Sequence, residues 1–173
     1  MNRVDALHII KNILKQNPVT CEIGFFKGEF SQQIYKTLNS QKHYVIDTFI
    51  DINHMSGDKD GINYSFQDMT KMEEYSISLG FETIKGCSDE LINIKDSLDF
   101  IYIDADHSYE WVKKDLDNAL IKINKNGIIA GHDYEKYKFP GCYNAVNEFC
   151  YKNKCEPLII TDDGCPSFFI LIK

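Results

Sequence analysis

The chain has 173 residues, with 19 Lys or Arg against 26 Asp or Glu, a net charge of −7. That balance argues against a protein that tracks nucleic-acid phosphates, and no run approaches the roughly 18 apolar residues of a membrane helix. At 43% hydrophobic and 13% aromatic residues, the chain can bury a core, which excludes wholesale disorder and suits one domain over 1–173.

Segment 1–16 mixes charged with apolar residues and has no signal-peptide core, so a cytoplasmic protein is expected. The six cysteines, Cys21, Cys87, Cys142, Cys150, Cys155 and Cys165, form no Cys-x-x-Cys pair. A zinc ribbon or thioredoxin motif is therefore not expected, and reduced thiols are.

In chain order, Val4 to Gln16 reads as an amphipathic helix stopped by Pro18, with Val4, Leu7, Ile10 and Leu14 at helical spacing. Val19 to Gly24 is a short strand running into a glycine. Phe30, Ile34 and Leu38 predict a helix over 28–38 with one inward face. His43 to Asp47 is a second strand, ending in a carboxylate. Residues 49–63 are polar, carry Gly57 and Gly61, and exceed an ordinary connection, so they are expected to form a loop able to act as a lid. A helix over 69–79 leads to a third strand, Phe81 to Lys85, and Ser88 to Lys95 reads as a short helix with Ser88 as N-cap.

Leu98 to Asp104 is the most strand-like run, with the continuous apolar centre of a strand buried on both faces. Val112, Leu116, Ala119, Leu120 and Ile123 mark a helix face that Asn126-Gly127 is expected to end. Ile128 to Gly131 is a strand, a helix follows Gly141, and Pro157 to Thr161 pairs with Ser167 to Ile172 as a terminal hairpin. Alternating strands and helices imply an α/β, Rossmann-like, doubly wound and mostly parallel seven-stranded sheet with an antiparallel C-terminal hairpin.

In such a sheet ligands bind beyond the carboxyl ends of the strands, and four of those ends are unusual. Glu22-Ile23-Gly24-Phe25-Phe26-Lys27-Gly28 is a glycine turn preceded by an acid. Phe26 stands where a dinucleotide fingerprint requires glycine, which disfavours a nicotinamide-dependent dehydrogenase. Asp47 ends the next strand 19 residues after Gly28, close to the spacing of about 20 at which an acid meets ribose hydroxyls. Together these two features point to an adenosine-containing ligand. Asp104-Ala105-Asp106-His107 and His132-Asp133-Tyr134 then bring carboxylates and imidazoles to two further strand ends. Asp104 and Asp133 are hard oxygen ligands for a divalent ion such as Mg²⁺, Mn²⁺ or Ca²⁺, and His132 is a candidate third ligand. His107 can act as a base near neutral pH.

At these residues the sequence resembles the class I S-adenosylmethionine-dependent methyltransferases. The closer likeness is to the small branch carrying Glu-x-Gly-x-x-x-Gly, Ile-Asp-x-Asp-His-Ser-Tyr and a later His-Asp-Tyr, here Glu22 to Gly28, Ile103 to Tyr109 and His132 to Tyr134. One departure is Asn126, where a glycine is usual before Gly127. The resemblance implies S-adenosylmethionine as cofactor. Glu22, Gly24, the Phe25 backbone and Gly28 would lie at its methionine end, Asp47 on the ribose, Ser88 by the adenine, and Asp104 beside it. From the metal-dependent O-methyltransferase relatives it implies Mg²⁺ or Mn²⁺ at Asp104 and Asp133, with His132, whose position is frequently another acid in those relatives, as the candidate third ligand. His107 matches the proposed base of some sugar-modifying relatives, and Asp104 and His107 are the expected catalytic residues.

The expected reaction is methylation of an acceptor oxygen. The acceptor would be a small molecule such as a sugar, nucleotide-sugar or diol, not nucleic acid. Phe25, Phe26, Tyr109, Trp111 and Tyr134 are candidate walls, although aromatics also serve as core. A metal-independent N- or carboxyl-methyltransferase and a non-catalytic adenosine-binding module stand as alternatives. A homodimer through the hairpin edge or the first helix is open.

Overall fold

The computed structural model describes residues 1–50 and 66–173. Among them, helices α1 (Arg3–Ile10), α2 (Glu29–Leu38), α3 (Phe66–Ser78), α4 (Tyr109–Lys122) and α5 (Pro140–Asn153) alternate with strands. The strands are β1 (Val19–Ile23), β2 (Lys42–Asp47), β3 (Glu82–Lys85), β4 (Leu98–Ile103), β5 (Ile123–Gly131), β6 (Ile159–Ile160) and β7 (Phe168–Leu171). They form one sheet in the order β3-β2-β1-β4-β5-β7-β6. The β1, β2, β3, β4 and β5 pairings are parallel, and β7 runs antiparallel to both β5 and β6. This is the Rossmann-like arrangement expected from the alternation of elements. No helix among the described residues is long and apolar enough to cross a membrane.

The two layers of core follow from the period of two along each strand. In β4, Phe100 and Tyr102 pack with Leu7 and Ile10 of α1 and Phe30, Ile34 and Leu38 of α2. Their neighbours Ile101 and Ile103 face the other way, onto Val112, Leu116 and Ala119 of α4 and Val146 and Phe149 of α5. Every residue of β4 is buried, which is why its centre, Phe100 to Ile103, reads as a continuous apolar run, while the buried Asp99 is held by the Val19 amide and Asn124. A third cluster joins Val45 of β2 to Phe25, Phe49, Met69 and Phe81.

Three local expectations are corrected. The first helix stops at Ile10, after which Asn12 and Ile13 donate to carbonyls three residues back, at 3.2 and 2.9 Å. This tight turn carries Leu14 into the core. Asn126-Gly127 does not end a helix: α4 stops at Lys122 and both residues lie within β5. Leu98 pairs with Ile123 but Phe100 with Ile128, so residues 124–127 bulge out of register. A Cβ on Gly127 would lie 2.8 Å from the Asn124 carbonyl oxygen and 3.0 Å from that of Asp99, so the glycine answers a close approach in this bulge. The turn after β3 is a 3-10 helix, Ser88–Asn93, with Cys87 rather than Ser88 as its cap. The hairpin loop is wider than a close turn, and the Thr161 amide closes it on the Ser167 carbonyl at 3.0 Å. The loop expected over 49–63 lies, beyond Ile50, outside the described residues. All six cysteines are free thiols.

Candidate active site

The strand order turns back between β1 and β4, so the carboxyl ends of these two strands open the crevice where doubly wound sheets bind ligands. Backbone contacts hold it tightly. Gly24 donates to Ile46 and Asp104 donates to Ile23, both at 2.8 Å. Gly24 has φ +92, and a Cβ there would lie 2.0 Å from the Asp104 carbonyl oxygen. Only glycine permits both the left-handed backbone and this approach.

Around the turn, Glu22 is buried and accepts a hydrogen bond from the Ser31 hydroxyl of α2. Burial pushes its carboxyl well above the ordinary range, with the Ser31 bond opposing the shift. Asp47 uses both oxygens as anchors: Oδ2 accepts from the Phe25 amide and Oδ1 from the Phe49 amide, each at 2.7 Å. The carboxylate at the tip of β2 is thereby aimed across the glycine turn. Gly28, in the left-handed region, caps α2.

On the other side of the crevice, Asp104 and Asp133 follow β4 and β5 and meet two imidazoles. His107 Nε2 lies 2.8 Å from Asp133 Oδ2 and 3.9 Å from Asp104 Oδ1. His132 Nδ1 lies 3.1 Å from Asp133 Oδ2 and 3.7 Å from Asp104 Oδ1. Burial opposes charge on His107, but hydrogen bonds and attraction from Asp104 and Asp133 outweigh it and raise its pKa to about 10. Burial likewise opposes charge on Asp133, yet His107 and His132 hold its carboxyl well below the usual range. Asp133 has φ +57, a backbone conformation that short polar side chains accept better than most. The Cys142 thiol, 3.3 Å from the His132 carbonyl oxygen, braces the strand end from α5.

The donor atoms of Asp104, His107 and Asp133 fall within 4.8 Å of one another. Two carboxylates and an imidazole from adjacent strand ends suit a divalent cation. His107, rather than His132, completes this set, although the His132 ring faces the same two carboxylates.

Other assignments shift once the side chains are placed. Ser88 is buried against α4, where its hydroxyl accepts from Asn118 Nδ2 at 3.0 Å. The Phe25 ring is buried beside Phe49 and does not line the crevice. The Tyr109 hydroxyl donates to Glu148 of α5, and Tyr134 stacks on Tyr143 at 4.9 Å. Trp111 lies beneath Lys114, at 4.9 Å. Phe26 is exposed, at φ +48.

Sequence reading missed three neighbours of the site. Ser31 holds Glu22 from one turn into α2. Phe139 meets the His107 ring edge-on at 4.9 Å. Arg3 lies 3.5 Å from Asp104 Oδ2. The three-residue spacing to Gly28 makes Ser31 recoverable, whereas Arg3 has no local signal.

A family model described as "Methyltransferase domain" matches residues 21–134, the stretch holding the glycine turn and every acid of the site. No curated protein sequence matches the chain. Among solved structures, SMU.1697c of Streptococcus mutans, a putative methyltransferase in complex with SAH, superposes with TM-score 0.66 at 12% identity, over 99% of this chain and 98% of that one. The O-methyltransferase NovP gives TM-score 0.66 at 18% identity, over 99% and 79%. The O-methyltransferase TomG of Streptomyces achromogenes, in complex with SAM, gives 0.63 at 10% identity, over 99% and 80%. At these identities the likeness is one of fold.

Proposed function

Because the chain belongs to the family of methyltransferase domains and is an S-adenosylmethionine-dependent enzyme, we propose that it methylates a hydroxyl of a small acceptor with the help of a divalent cation. The acceptor class is a sugar, nucleotide-sugar or small diol. The observation that carries this reading is the convergence of Asp104, His107 and Asp133 across the crevice from the glycine turn.

The chain's own residues divide the work. Glu22 offers a buried carboxyl group to the ammonium at the methionine end of the cofactor, a cation that would draw it into its charged form. Asp47, held by the Phe25 and Phe49 amides, presents its remaining lone pairs to the ribose hydroxyls. Gly24 lets the cofactor approach the main chain while Asp104 stays in contact behind it. The sulfonium methyl needs no further activation, so catalysis rests on alignment and on ionising the acceptor. A divalent cation at Asp104, His107 and Asp133 would orient the acceptor hydroxyl and lower its pKa.

We assign His107 to the ligand set rather than to the base. Its Nε2 lies 2.8 Å from Asp133 Oδ2, inside the cluster; as a ligand it releases its proton and gives that lone pair to the cation, which leaves none there to act as a base. His132 is assigned to receive the acceptor's proton, its Nδ1 being directed to Asp133. Mg²⁺ or Mn²⁺ is the proposed ion.

The test is methyl transfer from labelled S-adenosylmethionine to a panel of hydroxylated acceptors. Transfer is expected to require added Mg²⁺ or Mn²⁺ and to stop in excess chelator. Transfer that persists in chelator would replace this reading with a metal-independent one, and calorimetry showing no uptake of the methyl donor would remove both.

A further inference from the structure

Arg3 enters the site from far along the chain. It is the first residue of α1, whose start is fixed by a capping box in which Asn2 accepts from the Val4 and Asp5 amides at 2.9 Å and Asp5 accepts from the Asn2 amide at 3.1 Å. The Arg3 amide donates to Asp163 Oδ2 of the hairpin loop at 3.0 Å. Asp163 is itself held by the Thr161 hydroxyl at 2.5 Å, and that hydroxyl accepts from the Ser167 amide at 2.8 Å. The Ser167 hydroxyl lies 2.8 Å from the buried Tyr102 hydroxyl. Both ends of the chain therefore set the backbone of Arg3, and Phe30 sets its side chain, with the guanidinium carbon 4.2 Å from the ring centroid.

This anchoring brings Arg3 Nη1 to 3.5 Å from Asp104 Oδ2. Both imidazoles approach the other oxygen, Oδ1. The two oxygens of Asp104 thus face different partners: one the α1 cation, the other the candidate cation site. From this geometry we infer that Arg3 is a positioning residue for the proposed metal centre. It holds Oδ2 and so orients Asp104 to offer Oδ1 beside Asp133 and His107. The inference rests on the divalent-cation reading above.

Electrostatics and positioning predict opposite signs, which makes the inference testable. If Arg3 acts only as a like charge near the ion, its removal tightens cation binding. If it orients the carboxylate, removal weakens binding despite the lost repulsion, and groups that orient metal ligands typically change affinity about 10–100-fold.

The probe is Mn²⁺ alone, titrated by calorimetry and by electron paramagnetic resonance of the free ion, with no methyl donor or acceptor present. We expect Arg3→Ala to lower Mn²⁺ affinity about tenfold or more. Arg3→Lys, which keeps a charge over Phe30 but loses the planar fork, should lower it by a smaller factor. Circular dichroism and thermal melting establish that each variant is folded. If Arg3→Ala does not fold, Arg3→Lys decides, and affinity equal to wild type overturns the inference. Affinity unchanged or raised in a folded Arg3→Ala variant also overturns it while leaving the cation reading intact. Wild-type protein that takes up no Mn²⁺ overturns the cation reading and this inference with it.

Discussion

Gly24 and Asp104 meet backbone to backbone, so closely that a Cβ on the glycine would lie 2.0 Å from the Asp104 carbonyl oxygen. The glycine turn and the acid that opens the opposite wall are therefore one mechanical unit. A change at the turn is transmitted to the acid because no side chain between them can give way.

Gly24→Ala is expected to damage both sides together. A left-handed backbone costs an alanine about 1–2 kcal/mol, and displacing β4 adds roughly 1–3 kcal/mol as overpacking. Urea denaturation should register a loss within the sum of these ranges, and calorimetry a weakened uptake of S-adenosylhomocysteine. Native stability with native binding would show that the contact is slack.

Asp133→Asn is the substitution of choice at the proposed cation site. Asparagine tolerates the left-handed φ of +57 and preserves volume while removing the charge. Mn²⁺ affinity and methyl transfer should both fall by at least ~100-fold, since a ligand is lost rather than a group behind one. Affinity for S-adenosylhomocysteine should stay within about threefold of wild type. Retained metal affinity would remove Asp133 from the ligand set.

Asp47→Ala removes the acceptor of two backbone amides as well as the proposed ribose contact. Stability should drop by about 1–3 kcal/mol, the range for leaving such donors unpaired. Affinity for S-adenosylhomocysteine should fall at least tenfold, about 1.4 kcal/mol. A stability loss with undiminished affinity would make Asp47 a purely structural carboxylate.

His43, in β2, carries a pH dependence unrelated to catalysis. Its ring is buried, Nδ1 lies 2.8 Å from the Thr20 hydroxyl, and Phe81 meets it edge-on at 4.7 Å. Burial lowers its pKa to about 3, so between pH 6.5 and 3 the unfolded chain binds a proton that the folded chain refuses. The contribution to stability is complete above about pH 6.5 and is lost as pH falls. Between pH 7 and 5 the loss amounts to about 2 kcal/mol. Denaturation at both pH values, compared with His43→Asn, isolates this term from the acids. An identical pH slope in the two proteins would contradict it.

The sheet and its order of elements were legible in the sequence because each strand's burial is written into its own residues. The apolar centre of β4 and the alternation that divides Phe100 and Tyr102 from Ile101 and Ile103 are local patterns. So are the acids at strand tips, and hence Glu22, Asp47, Asp104 and Asp133 as candidates. What the sequence could not determine is which atoms meet. The set of Asp104, Asp133 and His107 depends on the register of β4 against β5, and the β5 bulge at Asn126-Gly127 depends on strand pairing that a local stop signal imitates. The Phe25 ring turned inward because a third core cluster received it. Arg3 reaches Asp104 across 101 residues only because α1 packs beside Phe30 and the hairpin loop holds its amide. A sequence pattern records how one element meets its surroundings, whereas a site is a distance between elements, and packing alone sets that distance.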